Sequence, residues 1–117
     1  MRLTAHKFGA VPTEVYGYRF ASKAEAWRYL DLLLLGQAGE VRNLELQPRF
    51  PLHVAGVEVS TYVADFRYDE RAGLGWADII EDVKGVRTPV YRLKRRMVEA
   101  EYGFVLRETG RTRARGR

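Results

Sequence analysis

The sequence predicts a single α/β domain, and three observations predict it. The chain has 117 residues with 46% hydrophobic content, enough for one small core. Two capped helical segments lie towards its two ends, and the segments between them alternate apolar and polar residues in the manner of strands. The absence of cysteine excludes disulfides, thiolate metal sites and a catalytic thiol, and suits a reducing compartment. MRLTAHKFGAV lacks the apolar core of a secretory signal, and the Leu run from Leu32 to Leu35 is too short to span a bilayer. No membrane association and a cytoplasmic location are therefore expected.

The first helix is predicted over SKAEAWRYLDLLLLG, with Ser22 as N-cap, Ala24, Trp27, Leu30 and Leu34 at helical spacing, and Gly36 as a stop. LELQPRFPL then alternates about Leu44, Leu46, Pro48, Phe50 and Leu52 and reads as a first strand, its prolines favouring an edge. Val54 to Val57 turns the chain, VEVSTYVADFRY is the second strand, DERAGLG a hairpin connection holding Asp69 and Glu70, and WADIIEDVKG the third strand. Thr88 followed by Pro89 starts a second helix that ends at Gly103. FVLRE makes a last short strand. The predicted order is α-β-β-β-α-β, a mixed sheet flanked by helices, in one domain over residues 1–108.

Residues 109–117 are predicted to be an Arg-rich disordered tail. The net charge is +5, and the last eleven residues, RETGRTRARGR, carry five Arg against one Glu. Four of the five net charges thus belong to the end of the chain. Such a segment either touches phosphates through counterion release, with Arg111 and Arg113 as candidates, or is only a solubilising extension.

Strands disfavour Asp, yet Asp65 interrupts the second strand and Asp82 the third. Side chains alternate faces, so Asp78, Ile80, Asp82 and Lys84 share one side of the third strand, with Ala77, Ile79, Glu81 and Val83 on the other. The same counting puts Val63, Asp65 and Arg67 together, opposite Tyr62, Ala64, Phe66 and Tyr68. If the two strands form a hairpin, Asp65 approaches Asp82 across the ladder, with Asp78 an outer member of the group. Two carboxylates aimed at one point raise each other's pKa unless a cation lies between them. A hard divalent ion such as Mg²⁺ accepts such ligands, and a neighbouring Lys can orient an attacking water or offset charge growing on a phosphate. A solvated Asp82–Lys84 ion pair is the structural alternative.

With Asp65, Asp82-Val83-Lys84 and that element order in place, the chain resembles the PD-(D/E)XK nuclease superfamily. More narrowly, FASKAEAWRYLDLLLLGQAGEVRNLELQPRFPL, YVADFRY, EDVKG and TPVYRLKRR look like a family of small phage and prophage proteins, domain-of-unknown-function family 1064. The resemblance covers about residues 7–108. It implies a restriction-endonuclease-like fold and a Mg²⁺-dependent (or Mn²⁺-dependent) DNA endonuclease, with branched or junction DNA as a substrate and a homodimer as a plausible assembly. Asp65 and Asp82 would hold metal, the Val83 carbonyl would add a ligand, and Lys84 would position water. Glu25 of the first helix would complete the acidic pocket, although Ser22-x-x-Glu25 also reads as a capping box. Ala64 stands where the superfamily pattern has Pro.

On the second helix Val90, Leu93, Met97 and Ala100 form the expected apolar stripe, with Arg92, Arg95 and Arg96 facing outward and Lys94 bordering it. These four cations are candidate DNA-phosphate contacts or simply a solvated face. Trp27 and Trp76 are expected in the core, and His6 and His53 are isolated from any transition-metal spacing. The alternative function is a non-catalytic DNA-binding or structural phage module on the same fold.

Overall fold

The computed structural model describes residues 12–110; His6, Arg111 and Arg113 lie outside them. The described chain is α/β, with β1 (Thr13–Val15), β2 (Tyr18–Phe20), α1 (Lys23–Gln37), β3 (Val41–Leu46), β4 (Arg49–Val54), β5 (Val57–Val63), β6 (Phe66–Ala72), β7 (Gly75–Val83), α2 (Pro89–Tyr102) and β8 (Arg107–Thr109). A four-stranded mixed sheet runs β3-β6-β7-β8, antiparallel except for the parallel β7–β8 pair. A parallel neighbour needs a crossover, and α2 supplies it. No described helix is long and apolar enough to cross a membrane.

Both helices start as predicted. Ser22 Oγ accepts the Glu25 N–H at 3.1 Å, Thr88 Oγ1 accepts the Tyr91 N–H at 3.1 Å, and Gly103 ends α2 in the left-handed conformation. Their packed faces differ from prediction. On α1 the buried residues are Glu25, Ala26, Tyr29 and Leu32, while Trp27 is 63% exposed and Leu34 is also exposed. On α2 the predicted stripe is not the packed one: Val90, Leu93 and Ala100 are exposed, and Val98, Tyr91 and Met97 meet the core. The α2 error arises because Tyr91 and Arg95, polar-ended by composition, bury their stems on the inward face.

The predicted first and second strands are each two. The first breaks at Gln47-Pro48, where Gln47 takes φ 54° and Pro48 has no N–H to give a ladder. The second breaks at Ala64-Asp65, directly opposite: the Gln47 N–H donates to the Asp65 carbonyl at 3.0 Å, and the Ala64 N–H to the Pro48 carbonyl at 3.1 Å. Because both breaks fall at one level, the ribbon bends as a unit. Its distal half, β4–β5, leaves the main sheet as a separate pair, closed by Ala55 and Gly56 at φ 51° and 81°, the two positive angles of a type I′ turn.

The bend overturns the predicted parity of the second strand. Tyr62 and Ala64 pack with Phe50, Leu52, Ile80, Val98 and Leu106 beneath α2, whereas Phe66 and Tyr68 pack with Phe20, Ala26, Tyr29 and Leu32 beneath α1. Asp65 sits at the crossover. The third strand, β7, is unbroken, and there the parity holds: Ile79 and Val83 join the α1 core and Ile80 the α2 core. The hairpin after β6 is shorter than predicted, so Asp69 and Glu70 are strand residues, Asp69 held by Arg42 and Asn43 and Glu70 by Arg107. The last strand is Arg107–Thr109 rather than FVLRE, which places Thr109, predicted in the tail, against β7.

Candidate active site

Three acids and one lysine converge where the ribbon bends away from β7. Asp65 and Asp82 fall opposite one another in the β6–β7 register, which pairs Phe66 with Glu81. The Asp65 N–H donates to Asp82 Oδ1 at 2.9 Å, and the Val83 N–H donates to Asp65 Oδ2 at 2.7 Å. The two carboxylates are therefore laced through each other's backbone. From α1, the Glu25 carboxyl interacts with Asp65 and with the Ala21 backbone. Only half of the capping box forms: Ser22 caps the helix, but the Glu25 side chain is directed to the acidic cluster. Val83 ends β7 and Lys84 follows directly, its N–H held by the Thr109 carbonyl at 2.8 Å.

Burial dominates the electrostatics. Glu25 is 6% exposed, and its pKa is pushed up to about 8, first by burial and then by the neighbouring Asp65 charge, against which Lys84 pulls down. Asp82 is 1% exposed and raised to about 6 by burial, opposed by Lys84 and by the Asp65 N–H. Burial also raises Asp65, opposed by the Val83 N–H and by Lys84. Burial and the Asp65 charge thus favour the protonated form of Glu25.

The remaining oxygen of Asp82, Oδ2, accepts a hydrogen bond from the Tyr62 hydroxyl of β5. Among the described residues no group of three or more His, Cys, Asp or Glu side chains is disposed to hold a metal ion. Of the oxygens that would serve as ligands, Asp82 Oδ2 is closed onto Tyr62, and Asp82 Oδ1 and Asp65 Oδ2 onto backbone N–H groups.

Lys84 lies with its ammonium 4.4 Å from the centre of the Tyr91 ring on α2. The Tyr91 hydroxyl donates to Glu108 Oε2 at 2.5 Å, and Glu108 is held by Arg87 at 2.8 Å and Arg95 at 2.8 Å. Arg95 does not face outward as the sequence predicts: it also binds Glu99 and the Leu106 carbonyl, tying α2 to the approach of β8. Arg92 and Arg96 are exposed, and Lys94 is half-buried.

Glu81, on the opposite face from Asp82, is 0% exposed and sits in a buried polar network. Arg28 grips it at 2.7 and 3.1 Å, Thr109 Oγ1 donates at 2.7 Å, and the Tyr68 hydroxyl also donates. Neither this network nor Tyr62 nor Tyr91 is foreseen from sequence. The only available signal is the Glu-Asp doublet itself, whose two members must face opposite ways. Asp78 is outside the cluster, paired with Arg67 at 2.9 Å on the surface. Trp76 is half-buried beneath Arg42 and Arg71 at 4.1 and 4.8 Å, and His53 is bound to Glu101.

No curated protein and no solved structure matches the chain significantly. A family model does match, over residues 5–114, nearly the whole chain. The chain belongs to the family described as protein of unknown function DUF1064.

Proposed function

We propose that the chain is a Mg²⁺-dependent DNA endonuclease of the PD-(D/E)XK type, cutting branched or junction DNA. One observation carries the reading: Asp65 meets Asp82-Val83-Lys84 at a bend in the sheet, with Glu25 of α1 directed into the same cluster. The sequence α1, β3, β6, β7, α2, β8 supports a restriction-endonuclease-like core, with β4–β5 as an outgrowth of the bend.

The donor set suits a hard dication. It consists of carboxylates, with no sulfur or imidazole, and burial holds all three above the ordinary carboxylate range, so a nearby positive charge would be welcomed. Asp65, Asp82 and Glu25 would hold the ion, with the Val83 carbonyl as a further ligand. Bound there, Mg²⁺ or Mn²⁺ supplies Lewis acidity to the phosphate and its attacking water. The chain's own residues do the rest. With an ion bound, Glu25 would be ionised, Asp82 would turn from the Tyr62 hydroxyl, and Lys84 would offset the charge that grows on the phosphate during displacement. Arg92, Arg96 and Lys94 would take flanking phosphates, and a homodimer would allow two cuts. Encoded by a phage or prophage, the protein would act in the host cytoplasm.

The test is incubation with supercoiled, linear and four-way-junction DNA, in Mg²⁺ or EDTA, beside Asp82→Asn and Lys84→Ala variants. Wild type is expected to cut in Mg²⁺ alone and both variants to lose at least a hundredfold in rate, the scale of a lost charge-stabilising group. A second reading, a non-catalytic DNA-binding module, is favoured by the closed hydrogen bonding of Asp82 to Tyr62 and Asp65. Binding without cleavage on every substrate would establish it and overturn the first.

A further inference from the structure

Trp27 is a large aromatic side chain left in solvent on a helix whose other face is buried, and a cavity of about 260 Å³ opens beside it. Ala24, Arg28 and Asp31 of α1 complete one wall, and Val83, Thr109 and Gly110 form the other. The cavity's floor is rigid, because Arg28 and Thr109 are both tied to the buried Glu81. Its mouth is free: among the described residues nothing stacks on Trp27, unlike Trp76 with its two arginines, and Asp31 makes no hydrogen bond or ion pair.

The far wall is continuous with the candidate active site. Val83 lines the cavity while its N–H holds Asp65 at 2.7 Å, and the Thr109 carbonyl holds the Lys84 N–H at 2.8 Å. Gly110 has no room for a side chain, since a Cβ there would lie 2.6 Å from the Lys84 carbonyl oxygen. Whatever enters the cavity lies across the end of β7 from Asp82 and Lys84, separated from them by the Val83 backbone that also holds Asp65.

We propose that this cavity receives one unpaired nucleobase of the DNA next to the cleaved bond. The inference rests on the nuclease reading and narrows its substrate class. The volume is below the roughly 300–1,000 Å³ of sites for larger ligands and suits a single ring system. The indole offers a stacking face that any base can use, and the Asp31 carboxylate accepts from an exocyclic amine or ring N–H. A base inside an intact duplex must first be unstacked and unpaired, whereas a bulge, flap or junction presents one already free. The cavity thus selects DNA structure rather than sequence.

The experiment uses the full chain in Ca²⁺, to hold the complex without turnover, and two DNAs of one sequence: a perfect duplex and a duplex with a single bulged 2-aminopurine. Wild type is expected to bind the bulged DNA about tenfold more tightly, with quenching of the 2-aminopurine emission as it stacks on indole. Trp27→Ala should bring the two affinities together and abolish the added quenching, and Trp27→Phe should keep most of both. Trp27 is exposed, so neither change threatens the fold. A Trp27→Ala variant that retains the preference and the quenching overturns the cavity's role and leaves the nuclease reading standing. Wild type that binds neither DNA overturns both.

Discussion

Glu25 of α1 lies buried beside Asp65 at the bend of the sheet, where burial and the Asp65 charge hold its carboxyl in the protonated form. The folded state binds that proton more tightly than the unfolded chain does: the Glu25 pKa is about 8, against an ordinary 4.5. Glu25 therefore contributes stability that is complete below about pH 4.5 and is lost as the pH rises to about 8. In EDTA, Glu25→Gln should be the more stable protein at pH 8.5, with the gap between the two closing as the pH falls to 5. Thermal melts across that range check it, and a gap that does not change with pH would show that Glu25 is not protonated in the folded state.

The same proton couples to metal. If Mg²⁺ takes its place, ion binding releases a proton, and affinity must rise with pH until Glu25 is ionised. The Mg²⁺-induced rise in Tm should be larger at pH 8.5 than at pH 6.0 for wild type and nearly absent at both for Glu25→Gln. Equal rises at the two pH values would mean that the ion binds away from this cluster.

Tyr62 competes with any ligand for Asp82 Oδ2. Tyr62→Phe removes the competing hydroxyl but keeps the ring that packs with Phe50 and Ile80. The variant should need several-fold less Mg²⁺ to reach half-maximal stabilisation while losing about 1 kcal/mol of metal-free stability, the ordinary worth of one hydrogen bond. An unchanged Mg²⁺ titration would show that Asp82 does not leave Tyr62 when the ion binds.

How much of this could be read from the chain depends on whether the backbone kept its period. Along β7 nothing interrupts the pleat, so alternation alone separated Asp82 and Lys84 from Glu81. The second strand was misread beyond Asp65 because the flip between Ala64 and Phe66 follows from Gln47 at positive φ and from Pro48 in a neighbouring strand, which no local pattern in YVADFRY records. Asp65 nonetheless reached Asp82, since register across the ladder survives a bend that parity does not. The partners Tyr62, Tyr91, Arg28 and Glu108 were hidden for another reason. Each joins residues far apart in sequence, and a tyrosine or arginine at a buried position carries no mark of which carboxylate it serves.

Lys84 and Tyr91 offer the sharpest test of the lysine's placement. The ring holds the ammonium at 4.4 Å, and the hydroxyl is fixed by Glu108, which Arg87 and Arg95 hold in turn. If the chain cleaves DNA as proposed, Tyr91→Phe, which keeps the aromatic face, should retain most of the rate, whereas Tyr91→Leu should lower kcat about tenfold with little change in KM. Loss of the same size in both variants would assign the effect to the Glu108 hydrogen bond instead.

Glu81 is structural, and its removal should show as stability rather than rate. It is wholly buried with Arg28 on both oxygens, so Glu81→Gln leaves a guanidinium without its counter-charge in a half-buried position. The expected cost is about 3 kcal/mol, the lower end for breaking a buried ion pair, because Arg28 keeps some access to water. Urea unfolding measures it directly. A loss below about 1 kcal/mol would show that Thr109 and Tyr68 satisfy the amide as well as the carboxylate, and that the charge on Glu81 is incidental to the fold.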